Sequence, residues 1–297
     1  MSIKSAAIGF AMCLLAAPSF ADLSTIDKQT SNAIKLAEGF YQDVLMYRNL
    51  NNFEKYIGDT YIQHAPAYGD GPVELMKAIA GELTSDPSVN IDLYRTIAEG
   101  PYVAIHSVWT ASDKSQYVYV DIWREENGKL VEHWDHYQKV PALSANKNTM
   151  YQGPEVNIYD STQDIERNRK RAISIIKSFD NPANKIAVKK YVSNETYIQH
   201  NPEVPDGKDA LLGYLDYLHK NNAKYSTQIA KTIAMGDMVL VHSKQIDLNK
   251  KDDLGTGYID IFRFNHDGLI VEHWDVVETQ TGKSKNKNSV FSYPKVP

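Results

Sequence analysis

The chain has 297 residues, 42% of them hydrophobic and 23% charged, with a formal charge of −5. That is the composition of a soluble globular protein long enough for two domains, each with its own core. The mild acidity and the lack of any basic run exclude an electrostatic footprint for nucleic acid.

The first 21 residues, "MSIKSAAIGFAMCLLAAPSFA", place Lys4 ahead of an apolar stretch and end on Ser19-Phe20-Ala21. This is the three-part pattern of a secretory signal, with cleavage expected after Ala21 and export to the periplasm or medium. The apolar stretch is too short for a lasting membrane anchor. Cys13, the single cysteine, lies inside this segment. The mature chain from Asp22 therefore lacks a disulfide, a thiol nucleophile and any Cys-ligated metal.

From there the chain repeats itself. "YIQHAP" returns as "YIQHNP", "VAIHS" as "VLVHS", "YVDIWR" as "YIDIFR" and "GKLVEHWD" as "GLIVEHWD". Even the tails agree, "NKNTMYQGP" with "NKNSVFSYP". Ordered matches at a slowly drifting offset mean a duplicated domain with small changes in loop length. We place the copies at residues 22–150 and 151–297, with 141–163 as a boundary segment that is partly structural.

Each copy begins with helical patterns, at 27–48, 51–57 and 72–83 in the first and 162–179, 182–191 and 208–221 in the second. Asp206 is the expected cap of the last of these. Four strands follow in each, at 89–98, 102–110, 116–124 and 130–140, then at 225–234, 238–247, 257–264 and 269–279. Gly100-Pro101, Asn127-Gly128, Gly236-Asp237 and Asp267-Gly268 punctuate them as hairpin turns. Helices followed by an antiparallel meander predict an α+β domain with helices packed on one sheet face.

Taken in order, Tyr-Ile-Gln-His-x-Pro, the "hVhHS" strand, "Y(V/I)DI(W/F)R" and "G(K/L)(L/I)VEHWD" resemble the SnoaL-like, polyketide cyclase-like branch of the NTF2-like superfamily. The resemblance covers nearly the whole mature chain, once per copy. It implies two tandem cone-shaped domains, each with a pocket between a curved sheet and its helices, which together form an internal pseudo-dimer. It also implies cofactor-free acid/base chemistry, with Asp135 and Asp275 on the final strands as the acid/base. Asp121 and Asp260 occupy the assisting position on the preceding strand, where some cyclases of the family carry His.

The residues themselves allow a test of that pairing. A two-residue turn at Asp267-Gly268 places Asp260 directly opposite Asp275, on one face of the sheet. The same turn at Asn127-Gly128 leaves Asp121 one residue out of register with Asp135, so copy one is expected to carry a bulge or a three-residue loop. Facing carboxylates in an apolar pocket repel, raising one pKa and giving a proton-sharing pair.

His64 and His200 precede an X-Pro turn, where they would orient a carbonyl or shuttle a proton, or else bond to backbone and fix a crossover. Gln63 and Gln199 beside them are alternative amide donors. His106 and His242 lie mid-strand, and His133 and His273 share a face with Asp135 and Asp275. Trp134 and Trp274 point to the opposite face, toward core or interface in one reading and ligand in the other. No metal motif is present and no cofactor is expected. The expected ligand is a small apolar or carbonyl-containing molecule. Three readings stand: a lyase or isomerase, a binding module without turnover, and motifs that serve only a domain–domain interface.

Overall fold

The computed structural model describes residues 26–160 and 162–294. The expected signal segment lies outside them. Among the described residues no helix is long and apolar enough to cross a membrane.

The first domain opens with α1 (Lys28–Phe40), whose Asp27 accepts a hydrogen bond from the Thr30 amide at 2.9 Å. This cap satisfies an amide that the first turn cannot. The helix runs on through a wider π-type turn at Tyr41–Met46. Short α2 (Phe53–Tyr56), strand β1 (Ile57–Gln63) and α3 (Pro72–Ser85) follow. The meander β2 (Asn90–Glu99), β3 (Tyr102–Thr110), β4 (Gln116–Glu126) and β5 (Lys129–Lys139) completes the domain. The second domain repeats it with α4 (Ile165–Ser178), α5 (Ile186–Tyr191), β6 (Ile198–Gln199), α6 (Lys208–Lys220), β7 (Tyr225–Met235), β8 (Met238–Asp247), β9 (Thr256–Phe264) and β10 (Ile270–Thr279).

Both sheets have one order, β1-β5-β4-β3-β2 and β6-β10-β9-β8-β7. The meander is antiparallel, and the "YIQ" words add a parallel edge strand against the final strand. Asp206 does not cap α6, whose N-cap is Gly207 at a φ of 93°. Its carboxylate accepts instead from the Gln199 amide and from Asn148 Nδ2, both at 2.8 Å, locking the edge strand. Asp70 does the same for Gln63 and Asn288.

The hairpins explain the register. In the first domain Asn127-Gly128 forms the two-residue turn, and a bulge at Val131 brings Asp121 opposite Asp135. In the second the loop is longer than expected, with Phe264 paired to Ile270 across it and a matching bulge at Val271. Asp260 still faces Asp275. Both copies therefore carry the irregularity expected of one.

The outer faces of the two sheets pack on each other. Ile122, Val120 and Trp134 join Leu240, Ile259, Ile261, Trp274 and Val276 in one apolar cluster that crosses the domain boundary. Burying such side chains stabilises by roughly 1.5–3 kcal/mol each.

The tails are exchanged. Residues 144–152 lie on the second domain, where Asn146 Nδ2 donates to the Asn201 and Val204 carbonyls and Trp274 Nε1 donates to Gln152 O. Residues 285–293 lie on the first, where Asn286 Nδ2 donates to Ala65 O and Tyr68 O, and Trp134 Nε1 donates to Ser292 O. The boundary expected at 150/151 falls inside the first of these straps.

Candidate functional site

In the second domain a cavity of about 260 Å³ lies between the inner sheet face and the helices. Ile175, Ile176, Phe179, Leu211 and Leu218 supply apolar wall from α4 and α6 and the residue following α4. Asp260, His273 and Asp275 line it from the sheet, with Gln199 and Asn201 at the edge strand. Strand alternation explains the set, since residues two apart on β10 share one face.

Hydrogen bonds order this cluster. Gln199 Oε1 accepts from the Asn201 amide at 2.9 Å, which fixes the orientation of its amide group. The same oxygen lies 2.9 Å from His273 Nδ1, so Nδ1 carries a proton. His273 Nε2 lies 3.0 Å from Asp260 Oδ1. The pair is then either imidazolium with carboxylate or neutral imidazole with carboxylic acid, and holds one shared proton in both cases.

Burial raises the Asp260 carboxyl, against the lowering effect of His273. Burial opposes the charged form of His273, but its hydrogen bond to Asp260 and the neighbouring carboxylates lift its pKa above the ordinary value. Burial also lifts Asp275, helped by the Asp260 charge and opposed by His273 and by the Asn201 hydrogen bond, to about 6. Asn201 Nδ2 donates to Asp275 Oδ2 at 2.7 Å. Asp260 Oδ2 and Asp275 Oδ1 are buried without a partner among the described residues.

The first domain holds the same frame. Gln63 Oε1 accepts from the Ala65 amide and lies 3.0 Å from His133 Nδ1, and His133 Nε2 lies 2.9 Å from Asp121 Oδ1. Two differences matter. Ala65 stands where Asn201 reaches Asp275, and the Tyr41 hydroxyl donates to Asp121 Oδ2 at 2.5 Å. Burial, then the Asp121 charge, hold the Asp135 carboxyl well above its usual range.

In each domain one ligand atom apiece from the two aspartates and the histidine lies within 4.8 Å of the others. Two carboxylates and an imidazole are a donor set that a divalent cation accepts. Because His273 spends both nitrogens on Gln199 and Asp260, proton sharing needs no rearrangement and a metal would.

Other expected site residues lie elsewhere. His64 Nδ1 donates to Ser289 O at 2.7 Å, and Nε2 bonds to Glu132 at 2.8 Å. His200 repeats this with Thr149 O at 2.5 Å and Glu272 at 2.9 Å. Arg124 and Arg263 hold the far oxygens of those glutamates. The histidines therefore clamp the straps, stacked on Trp134 and Trp274 at 4.5 and 4.7 Å between ring centroids. That corrects a ligand-facing reading of these four residues, because strand alternation turns them to the outer side.

His106 and His242 also face outward. His106 Nδ1 accepts from Arg95 Nη1 at 2.8 Å. His242 bonds to Tyr293 and to His136 across the domain boundary. Sequence reasoning missed Tyr41, which sits outside every repeated word, and Gln138, a first-domain residue lining the second cavity. The Ala65/Asn201 mismatch inside an otherwise repeated word was the available signal for Asn201.

A cone of sheet closed by helices over a buried acid–histidine–acid cluster defines a small-molecule pocket domain. Residues 35–146 match the family of SnoaL-like polyketide cyclases. The match spans most of the first domain, and the second domain repeats its motifs and strand order.

Among solved structures, the chain is similar to a proposed polyketide cyclase from Acidithiobacillus ferrooxidans, at 19% identity and a TM-score of 0.34 over 37% of this chain and 89% of that one. It is also similar to an NTF2-like protein of unknown function from Mesorhizobium loti, at 16% identity and a TM-score of 0.34 over 38% and 95%. A proposed ketosteroid isomerase from Kribbella flavida shows 16% identity and a TM-score of 0.34 over 46% and 92%. No curated protein matches the chain.

Proposed function

We propose that the second domain is a cofactor-free acid/base site, a lyase or isomerase acting on a small carbonyl compound. The observation that carries this reading is the pair of buried oxygens without a partner among the described residues, Asp260 Oδ2 and Asp275 Oδ1, in the wall of a cavity whose helical side is apolar. Asp275 with a pKa near 6 is poised to take a proton from carbon next to a carbonyl near neutral pH. Asp260 and His273 hold the shared proton that an enolate oxygen requires. Asp135, with Asp121 and His133, is the corresponding set in the first domain. A binding module without turnover would use the same cavity for orientation alone.

The test takes an enolisable ketone that binds the cavity and follows exchange of its α-proton for deuterium by NMR. Asp275→Asn should slow exchange by 100-fold or more, while His200→Asn, on the outer face, should leave it within a few-fold. Exchange no faster than in buffer leaves the binding-module reading in place. The expected leader would put this site outside the cytoplasm, and N-terminal sequencing of exported protein should then begin at Asp22.

A further inference from the structure

The two polar clusters share their glutamine, their histidine and their facing aspartates, yet one oxygen is treated differently. Asp121 Oδ2 receives the phenol of Tyr41, a residue only 1% exposed. Asp260 Oδ2 receives nothing among the described residues, though Asp260 is 5% exposed, and α4 presents Ile175 and Ile176 to the cavity. A buried carboxylate oxygen without a donor costs roughly 1–3 kcal/mol or more. Such an oxygen in a cavity wall is explained when a ligand brings the donor.

We infer that Tyr41 is a built-in stand-in for the ligand of the second domain, so that this cavity takes a neutral ring compound whose hydroxyl donates to Asp260 Oδ2 while the first domain occupies its own acceptor. The inference rests on reading the second cavity as the site. The acceptor and the histidine behind it are the same in both domains, so a group that satisfies one satisfies the other. An anionic head would meet Asp275, ionised above about pH 6, with Glu203 also in the lining, which disfavours a carboxylate or phenolate ligand. Phe179, Tyr214, Tyr225 and Tyr258 line the cavity with aromatic surface. Its volume, about 260 Å³, suits one or two rings, being below the roughly 300–1,000 Å³ usual for drug-sized ligands. Phenols and the enols of cyclic ketones meet these terms, and an enol is the tautomer that acid/base chemistry on a ketone produces.

The probes are 2-naphthol and 2-methoxynaphthalene, which differ in the hydroxyl proton, with binding followed by fluorescence and calorimetry on the full mature chain. The wild-type protein should bind one 2-naphthol, at least tenfold tighter than the methyl ether. The preference should vanish in Asp260→Ala and persist in Tyr41→Phe. Equal affinities for the two compounds, two sites per chain, or a preference that survives Asp260→Ala overturn the inference while leaving the cavity reading intact. Binding of neither compound overturns both. The wild-type comparison needs no variant and stands if Asp260→Ala fails to fold.

Discussion

Asn201 offers the sharpest perturbation, because it is the polar contact that the first domain lacks at Ala65. Its Nδ2 donates to Asp275 Oδ2 at 2.7 Å and so favours the ionised carboxylate. A hydrogen bond to a charged group contributes about 1.5–3 kcal/mol. At about 1.4 kcal/mol per unit, losing it outright would raise the pKa by about one to two units. Water entering the space left by Asn201→Ala recovers part of this, so the midpoint of Asp275 should rise from about 6 by about one unit. The assay is a carbon-13 NMR titration of the aspartate carboxyl groups, assigned with Asp275→Asn. A midpoint that stays at or drops below its wild-type value refutes the assigned role of Asn201. The reciprocal change, Ala65→Asn, should lower the Asp135 midpoint in the same experiment.

Two further outcomes follow from the same contacts. Asp275 keeps its proton up to about pH 6 when folded but only to about 3.8 when unfolded, so stability falls as pH rises through that window. Asp275→Asn should therefore stabilise the protein by about 3 kcal/mol at pH 8 and by less than about 1 kcal/mol near pH 4, read from urea unfolding at both; no gain at pH 8 would contradict the raised pKa. Ending the chain at Gln280 removes the strap from the first domain, including the partners of His64, Trp134, Ala65 O and Tyr68 O. At about 1 kcal/mol per hydrogen bond the loss should reach at least about 3 kcal/mol in urea unfolding, and an unchanged midpoint would show that the strap is not part of that domain's fold.

The duplication, the antiparallel meander and the facing aspartates were legible because each rests on local rules, whereas the parallel edge strand that the "YIQ" words add was not. Period-two alternation put Asp135 with His133 and Asp275 with His273, and turn chemistry set the first hairpin. The second hairpin's route was not legible, since a longer loop and a bulge at Val271 reach the same pairing as a tight turn. The role of "YIQH" was harder still. His64 and His200 are fixed by peptide carbonyls at Ser289 and Thr149, far away in sequence, and nothing local distinguishes that from facing a ligand. Tyr41 escaped notice for the same reason, as its partner Asp121 is brought to it only by the packing of α1 and the turn after it on the sheet.

The exchanged straps bear on how such a chain arises. Each half carries, after its last strand, the peptide that the other half requires, so the two halves are mutually incomplete and mutually complementary. Two separate polypeptides with this arrangement would already hold each other by their tails. Joining them end to end asks for no new connector, because the peptide that crossed between partners becomes the peptide that links them. The fused molecule keeps a dimer's geometry while freeing each half to diverge, which is how one acidic pocket can retain an open oxygen and its twin close over a tyrosine.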